Sequence, residues 1–166
     1  MLDCFNDSLM EIIYHGNCEV VKRPEIRIGK FTKDFGAGFY CTKFLNQAQA
    51  WARRRGTIKG NSGIVSCFQW DKSLATQQLK VCTFTEMTND WLNFIANCRL
   101  GLLHNFDIVE GPMADDQVYN YVNNFIEGEL SREDFWRLCR FKKTTHQIAF
   151  CTDKALGALT LLEVRR

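Results

Sequence analysis

The chain has 166 residues, of which 46% are apolar and 24% charged, a composition that excludes a disordered chain. Its length predicts a single domain over residues 1–166, long enough to bury a sizeable core. The formal net charge of +2 is too small for a protein that coats nucleic acid, so any such role would need a local patch of cations.

The cysteines and the N-terminus indicate the compartment. The eight cysteines never fall in a Cys-x-x-Cys spacing, which argues against a zinc site or a redox motif. No basic segment precedes an apolar stretch at the N-terminus, and no apolar run approaches the roughly 20 residues of a membrane span. We therefore expect a cytoplasmic protein with reduced cysteines, no bound metal and no membrane association.

The first third of the chain predicts two short strands joined by a loop. Residues 9–14 are mostly apolar and precede His15-Gly16, as expected for a buried strand that ends in a turn. Residues 17–33 are irregular and form a candidate binding loop. Gly36 and Gly38 then precede a short strand at residues 39–42, a spacing that lets the backbone approach a ligand closely.

A helix is expected next. Asn46 is a predicted cap for a helix from Gln47 to about Arg54, whose apolar face is formed by Ala48, Trp51 and Ala52. Gly56, Gly60, Asn61 and Gly63 are expected to stop this helix.

The rest of the chain predicts strands alternating with helices. Thr88 or Asn89 caps one helix, Asp115-Asp116 opens another, and Ser131 begins a third that extends to about residue 141. The remaining predicted strands lie at residues 64–70, 79–84, 106–109, 147–151 and 159–164. Short strands with helices inserted between them predict an α+β fold.

Two early motifs carry a resemblance. Residues 14–17 (Tyr-His-Gly-Asn), a loop of about twenty residues, and residues 36–42 (Gly-Ala-Gly-Phe-Tyr-Cys-Thr) resemble the His and Tyr elements of the H-Y-E group of the ADP-ribosyltransferase superfamily. This group includes the poly(ADP-ribose) polymerases and the diphtheria-toxin-like enzymes. The resemblance implies a split β-sheet core of short strands with inserted helices, and NAD as co-substrate. Taken without the later motif, His15 would instead be interpreted as a structural hydrogen bonder.

The resemblance also implies roles for single residues. His15 would bond the adenosine ribose, and the backbone of Gly16 would hold the nicotinamide carboxamide. Tyr40 would stack on the nicotinamide ring, with Gly36 and Gly38 providing room for the ligand. The alternative for Tyr40 is a core aromatic on a strand.

The third element of the group is a glutamate at the start of a late strand, and here Gln147 takes its place. An amide can hydrogen-bond the nicotinamide ribose, but it lacks the charge that stabilises an oxocarbenium-like transition state. Asp115 or Asp116 is a candidate general base that could supply the missing carboxylate. The alternative is that either aspartate only caps the following helix.

Several charged residues have open interpretations. Arg27, Lys30 and Lys33 lie in the loop between the two motifs, and Arg27 is a candidate ligand of the NAD pyrophosphate. Asp34 either pairs with one of these cations or closes the turn. Two basic clusters are expected to be solvated helix ends: Arg53, Arg54, Arg55 and Lys59, and Arg137, Arg140, Lys142 and Lys143.

A wider resemblance covers residues 14–162. The motifs Asp-Phe-Gly-x-Gly-Phe-Tyr, Gly-Pro-x-Ala-Asp-Asp and a late Gln-Ile-x-Phe together resemble an uncharacterised bacterial family, assigned to this superfamily and often encoded beside a small partner gene. It implies an NAD-dependent mono-ADP-ribosyltransferase, the toxin of a toxin–antitoxin pair, with a protein or nucleic-acid acceptor and a small antitoxin partner. The alternatives are an NAD glycohydrolase and a non-catalytic module that binds NAD or ADP-ribose.

Overall fold

The computed structural model describes residues 10–28, 33–73, 78–142 and 145–166. The strands are β1 (Met10–Asn17), β2 (Phe39–Cys41), β3 (Ile64–Asp71), β4 (Val81–Thr83), β5 (Ile108–Met113), β6 (Thr145–Phe150) and β7 (Leu159–Arg165). The helices are α1 (Leu45–Lys59), α2 (Asn89–Arg99), α3 (Asp116–Ile126), α4 (Arg132–Cys139) and α5 (Asp153–Leu156). The predicted α+β class is confirmed.

The described strands form two sheets that an isolated backbone bridge connects. One sheet has the order β1-β3-β7 and is antiparallel, while the other has the order β2-β6-β5-β4 with β4 and β5 parallel. Between the sheets, the backbones of Tyr14 and Thr42 exchange hydrogen bonds of 2.8 and 2.9 Å. Beyond this bridge, the described residues show no further backbone pairing between β1 and β2.

The core is layered. Ile13, Phe68, Phe39 and Phe150 belong to a cluster that fills the space between the two sheets. A second cluster packs α2, α3 and α4 on the other face of the four-stranded sheet, and α1 covers the outer face of the three-stranded sheet. Because side chains alternate along a strand, Ile148 and Phe150 face the first cluster, whereas residues 147 and 149 face the helices.

Helix α1 corrects three predictions. Trp51 is not part of the apolar face, since it is 40% exposed while Ala48 and Ala52 are buried. Asn46 is not the cap, since it lies inside the helix and its side chain accepts from the Gln47 N–H at 2.9 Å. Gly56 does not end the helix, which continues to Lys59 and stops at the left-handed Gly60. At Gly56 a Cβ would lie 2.3 Å from the Gly63 nitrogen, so this glycine permits close packing rather than a turn.

Other boundaries differ from the predictions by a few residues. β1 continues through the predicted turn at His15-Gly16, and β5 begins at Ile108 and includes Pro112. Proline is tolerated there because β4 ends opposite Glu110, short of Pro112. The predicted strands at 79–84 and 147–151 are observed at Val81–Thr83 and Thr145–Phe150, and α4 ends at Cys139.

The predicted helix caps at Thr88 and Ser131 are confirmed, since their hydroxyls accept from the N–H groups of Trp91 and Asp134. Every cysteine in the described ranges carries a free thiol. Over the same ranges, none of the helices combines the length and the apolar character needed to cross a membrane.

Candidate functional site

The His and Tyr motifs meet where the backbone pairing between β1 and β2 ends. His15 Nδ1 lies 2.7 Å from the carbonyl oxygen of Tyr40, and the imidazole stacks on Phe39 with ring centroids 4.4 Å apart. A carbonyl only accepts, so Nδ1 carries the proton and Nε2 is left as an acceptor on a neutral ring. Burial lowers the pKa of His15 to about 4, despite the hydrogen bond to Tyr40, so the ring is neutral at pH 7.

The backbone of Gly16 lies on the edge of β1 that faces β2. Tyr14 points its N–H and C=O groups at Thr42, and residues two apart in a strand point theirs the same way. Among the described residues, no backbone group bonds Gly16 on that edge. The residue must also be glycine for packing, because a Cβ would lie 2.1 Å from the carbonyl oxygen of Ala48 in α1.

Arg27 borders the same region. It forms an isolated antiparallel bridge with Gly38, where a Cβ would lie 3.0 Å from the carbonyl oxygen of Phe150. The region between β1 and β2 that His15, Gly16, Arg27 and Gly38 border is called the β1–β2 crevice below. Lys30 and Lys143 lie outside the described residues.

The crevice is electropositive. The charges of Arg27, Lys33 and Arg55 each contribute to the low pKa of His15, after burial. Burial also lowers the pKa of Lys33, with Arg55 and Arg27 adding to the effect. These cations come from the segment between β1 and β2 and from α1, and their combined field favours an anionic ligand.

Tyr40 is fixed on the helix side of β2. Its hydroxyl donates to the Gly36 carbonyl at 2.7 Å and accepts from the Phe35 N–H at 3.2 Å. Gly36 has a φ of 77° and closes a turn by donating to the Lys33 carbonyl. Lys33 Nζ lies 4.5 Å from the centroid of the Tyr40 ring, so an ammonium covers one face of it.

The rings of His15 and Tyr40 lie on opposite faces of β2. His15 stacks on Phe39, which precedes Tyr40 in the strand, and neighbouring side chains of a strand point to opposite faces. The two motifs are therefore joined through the backbone of Tyr40. Lys33 contacts the Tyr40 ring, and its charge also contributes to the low pKa of His15.

Three sequence motifs converge on the carboxylate of Asp34. Gln147, only 5% exposed, donates from Nε2 to Asp34 Oδ2 at 3.2 Å, and the Ala114 N–H donates to the same oxygen at 2.8 Å. Arg99 donates from Nε to Oδ1 at 3.0 Å and forms a buried ion pair. Asp34 therefore pairs with Arg99, and neither of the described loop cations, Arg27 and Lys33, forms an ion pair with it.

Asp115 does not cap α3 through its side chain. It occupies the N-cap position, but its carboxylate accepts from the Thr145 hydroxyl at 2.8 Å instead. Because Thr145 begins β6, this carboxylate lies at the same end of the sheet as Gln147, two residues further along. The side chain of Asp116 lies outside the described residues.

The residues of the candidate site come from nearly the whole length of the chain, and the match to a known family covers a similar length. Residues 11–161 match the model of a family described as a protein of unknown function, DUF3990. The chain belongs to this family. No curated protein matches it.

Sequence reasoning missed Arg99, which anchors the Asp34 network of this DUF3990 chain. It lies four residues after Ile95 and eight after Trp91, on the buried stripe of α2. Arginine is almost never fully buried unless it is paired. An arginine on the apolar stripe of a predicted helix therefore indicates a buried acidic partner, and this pattern could have identified Arg99 from the sequence. Its remaining donors bond the Tyr119 carbonyl and the Asn123 side chain.

A second polar cluster lies at the start of β6 and was also missed. The side-chain amide of Gln47 bonds both backbone groups of His146, at 2.7 and 3.1 Å. His146 donates from Nε2 to Glu110 at 3.1 Å, and Lys43 pairs with the same carboxylate. Burial alone would raise the pKa of Glu110, but the hydrogen bonds from His146 and Lys43 hold it at about 2. This cluster fixes the position of β6 in the DUF3990 chain.

Proposed function

We propose that this chain binds NAD in the β1–β2 crevice and acts as a mono-ADP-ribosyltransferase with an ADP-ribosyltransferase-like split-sheet core. The observation that carries the proposal is the hydrogen bond between His15 and the Tyr40 carbonyl, because it joins the two motifs on which the resemblance rests. The end of backbone pairing between β1 and β2 after the Tyr14–Thr42 bridge, within the described residues, supports the same proposal.

The crevice offers matched groups for the two ends of NAD. The Nε2 atom of neutral His15 accepts a hydrogen bond from a hydroxyl of the adenosine ribose. The edge backbone of Gly16 presents one donor and one acceptor, which are the groups that a carboxamide complements. Arg27 and Lys33 neutralise the pyrophosphate, and Arg55 adds to their field.

The nicotinamide ring is assigned to the face of Tyr40 that Lys33 covers. The tyrosine is held at its hydroxyl by Gly36 and Phe35, so the ring stays in place while the lysine side chain moves. A cationic nicotinamide ring then replaces the cation of Lys33 over the aromatic face. Lys33, once displaced, remains beside the pyrophosphate.

Transfer would use Gln147 and Asp115. Because Nε2 of Gln147 donates to Asp34, Oε1 of Gln147 is the atom that accepts a hydrogen bond from a hydroxyl of the nicotinamide ribose. The bond from that ribose to nicotinamide breaks, the acceptor attacks the same carbon, and Asp115 takes the acceptor's proton. The amide adds no charge to stabilise the oxocarbenium ion, so slow transfer is expected.

A non-catalytic module that binds NAD or ADP-ribose is the second candidate. Two observations favour it: the Gln147 amide is held in a buried network, and the rings of His15 and Tyr40 face opposite sides of β2. This candidate predicts thermal stabilisation by NAD without release of nicotinamide.

The test combines titration of NAD and ADP-ribose with chromatography of released nicotinamide and labelled NAD in a cell lysate. The transferase predicts binding, nicotinamide release and a labelled macromolecule. Asp115→Asn should keep NAD affinity and lower transfer, whereas Asp134→Asn, at an exposed helix start, should change neither. Release without a labelled product would identify an NAD glycohydrolase, and binding without release the module.

The role as the toxin of a toxin–antitoxin pair rests on the resemblance to the bacterial family. It predicts that expression of the wild-type chain arrests growth and that Tyr40→Ala relieves the arrest at equal protein level. Growth arrest that Tyr40→Ala leaves unchanged would separate toxicity from the proposed site.

A further inference from the structure

Helix α1 presents a cationic and aromatic face to solvent beside the proposed site. Trp51, Arg54, Arg55 and Ile58 follow the spacing i, i+3, i+4, i+7 and therefore lie along one face, called the α1 face below. All four are exposed, Trp51 by 40% and Ile58 by 71%. A neighbouring face of the helix packs on β1 and β3 through Ala48, Ala52 and Gly56, which leaves the α1 face toward solvent.

The cations of α1 have no acidic partners within the described part of the chain. The sequence of this helix contains four cations and no acidic residue, and no ion pair involves Arg54 or Arg55. The other basic cluster differs, because Arg137 on α4 bonds Asp134 at 2.7 Å. An uncompensated row of guanidinium groups favours a polyanion.

The aromatic residue narrows the class of polyanion. The Arg54 guanidinium lies 5.6 Å from the centroid of the Trp51 ring and leaves much of the side chain exposed. Exposed aromatic rings between cations are the usual platform for unstacked bases, whose phosphates bind the neighbouring cations. An acidic protein segment would use the cations but has no base to stack on the ring.

The α1 face adjoins the β1–β2 crevice. Gly16 packs directly on Ala48 and Ala52, which lie beside Arg55 on the helix surface. Arg55 also contributes to the lowered pKa values of both His15 and Lys33. The field of the helix therefore reaches the site assigned to NAD. A strand bound along α1 would have its nearest nucleotides at the mouth of the crevice.

We propose that the α1 face binds single-stranded nucleic acid and presents it as the acceptor of ADP-ribose. The acceptor role rests on the proposed transferase function, whereas strand binding does not. A nitrogen or oxygen nucleophile of the strand attacks the ribose carbon that bears nicotinamide, the bond to nicotinamide breaks, and the proton of the nucleophile goes to Asp115.

Strand binding is measured by fluorescence anisotropy with labelled 12-nucleotide oligothymidylate and oligouridylate at increasing salt. Arg54→Gln should weaken binding and reduce the slope of log affinity against log salt by about 0.7, the value for one phosphate contact on a single strand. Trp51→Ala should weaken binding about fivefold or more without changing that slope. Arg53→Gln is the matched control, since Arg53 is exposed on the same helix but points away from the α1 face.

The inference is overturned if Arg53→Gln and Arg54→Gln weaken binding equally, if Trp51→Ala has no effect, or if polyglutamate displaces the strand at equal charge concentration. The acceptor role is tested with labelled NAD. The acceptor role is supported if the wild type labels the oligonucleotide and Arg54→Gln abolishes that label, while nicotinamide release in the absence of a strand stays unchanged. Nicotinamide release by the wild type without any label on the oligonucleotide overturns the acceptor role. Failure of the wild type to bind NAD at all refutes the transferase instead.

Discussion

Replacing Gln147 with glutamate introduces the carboxyl group that the H-Y-E resemblance expects, but it does so against an existing carboxylate. In the wild type, Nε2 of Gln147 lies 3.2 Å from Asp34 Oδ2, and the Gln147 side chain is almost fully buried. The substitution therefore replaces a donor with a second negative charge at hydrogen-bonding distance.

The cost follows from that distance. Two unit charges 3.2 Å apart repel by about 5 kcal/mol at an effective dielectric constant of about 20. Arg99, bonded to the other oxygen of Asp34, offsets part of this repulsion. We expect Gln147→Glu to lower the free energy of unfolding by roughly 2 to 4 kcal/mol at pH 8.

The penalty should depend on pH with a defined sign. Repulsion raises the pKa of the introduced carboxyl in the folded protein above its unfolded value, so the loss is small at pH 5 and grows as the pH rises. The protonated carboxyl can also donate to Asp34. Urea unfolding of wild type and Gln147→Glu at pH 5 and pH 8 measures the effect, with Gln147→Met as the control whose cost is independent of pH. An equal loss at both pH values would refute the network around Asp34.

Three further predictions concern stability. The pKa of His15 falls from 6.5 to about 4 on folding, so the unfolded chain takes up a proton first as the pH drops between these values. The free energy of unfolding of the wild type should therefore fall by roughly 3 kcal/mol over this range, whereas that of His15→Asn should not show this loss. Matching pH profiles of the two proteins in urea unfolding would contradict this prediction. Gly16→Ala should cost roughly 3 kcal/mol or more, since the new Cβ would meet the backbone oxygen of Ala48, and a melting temperature near that of wild type would rule out the contact. Arg99→Met should cost roughly 3 to 5 kcal/mol by leaving a buried carboxylate unpaired, and Arg99→Met combined with Asp34→Leu should cost less than Arg99→Met alone, in a double-mutant comparison.

Local signals in the sequence predicted the elements that depend on near neighbours. The caps at Thr88 and Ser131 were found because a hydroxyl three residues before a free N–H is a short-range pattern. The end of α1 was missed because Gly56 is read from sequence as a helix breaker. Its reason for being glycine is the backbone of Gly63, which only the folded chain brings into contact.

The candidate site divides in the same way. The sequence alone indicated that His15-Gly16 and Gly36–Tyr40 belong to a binding region, and their roles toward NAD stay predictions. It left open which residue pairs with Asp34 and whether Asp115 caps a helix. Neither question has a local answer, since the partners lie 65 and 30 residues away along the chain.

The sequence by itself determined the alternation of short strands and helices, because strand and helix periodicity is a property of neighbouring residues. Only the tertiary structure decided that Asp34, Arg99 and Gln147 share one buried network across separations of 65 and 113 residues. A buried charge needs a partner, and that partner can come from any part of the chain that packing brings near it. The periodicity of neighbouring residues does not indicate which distant residue this will be.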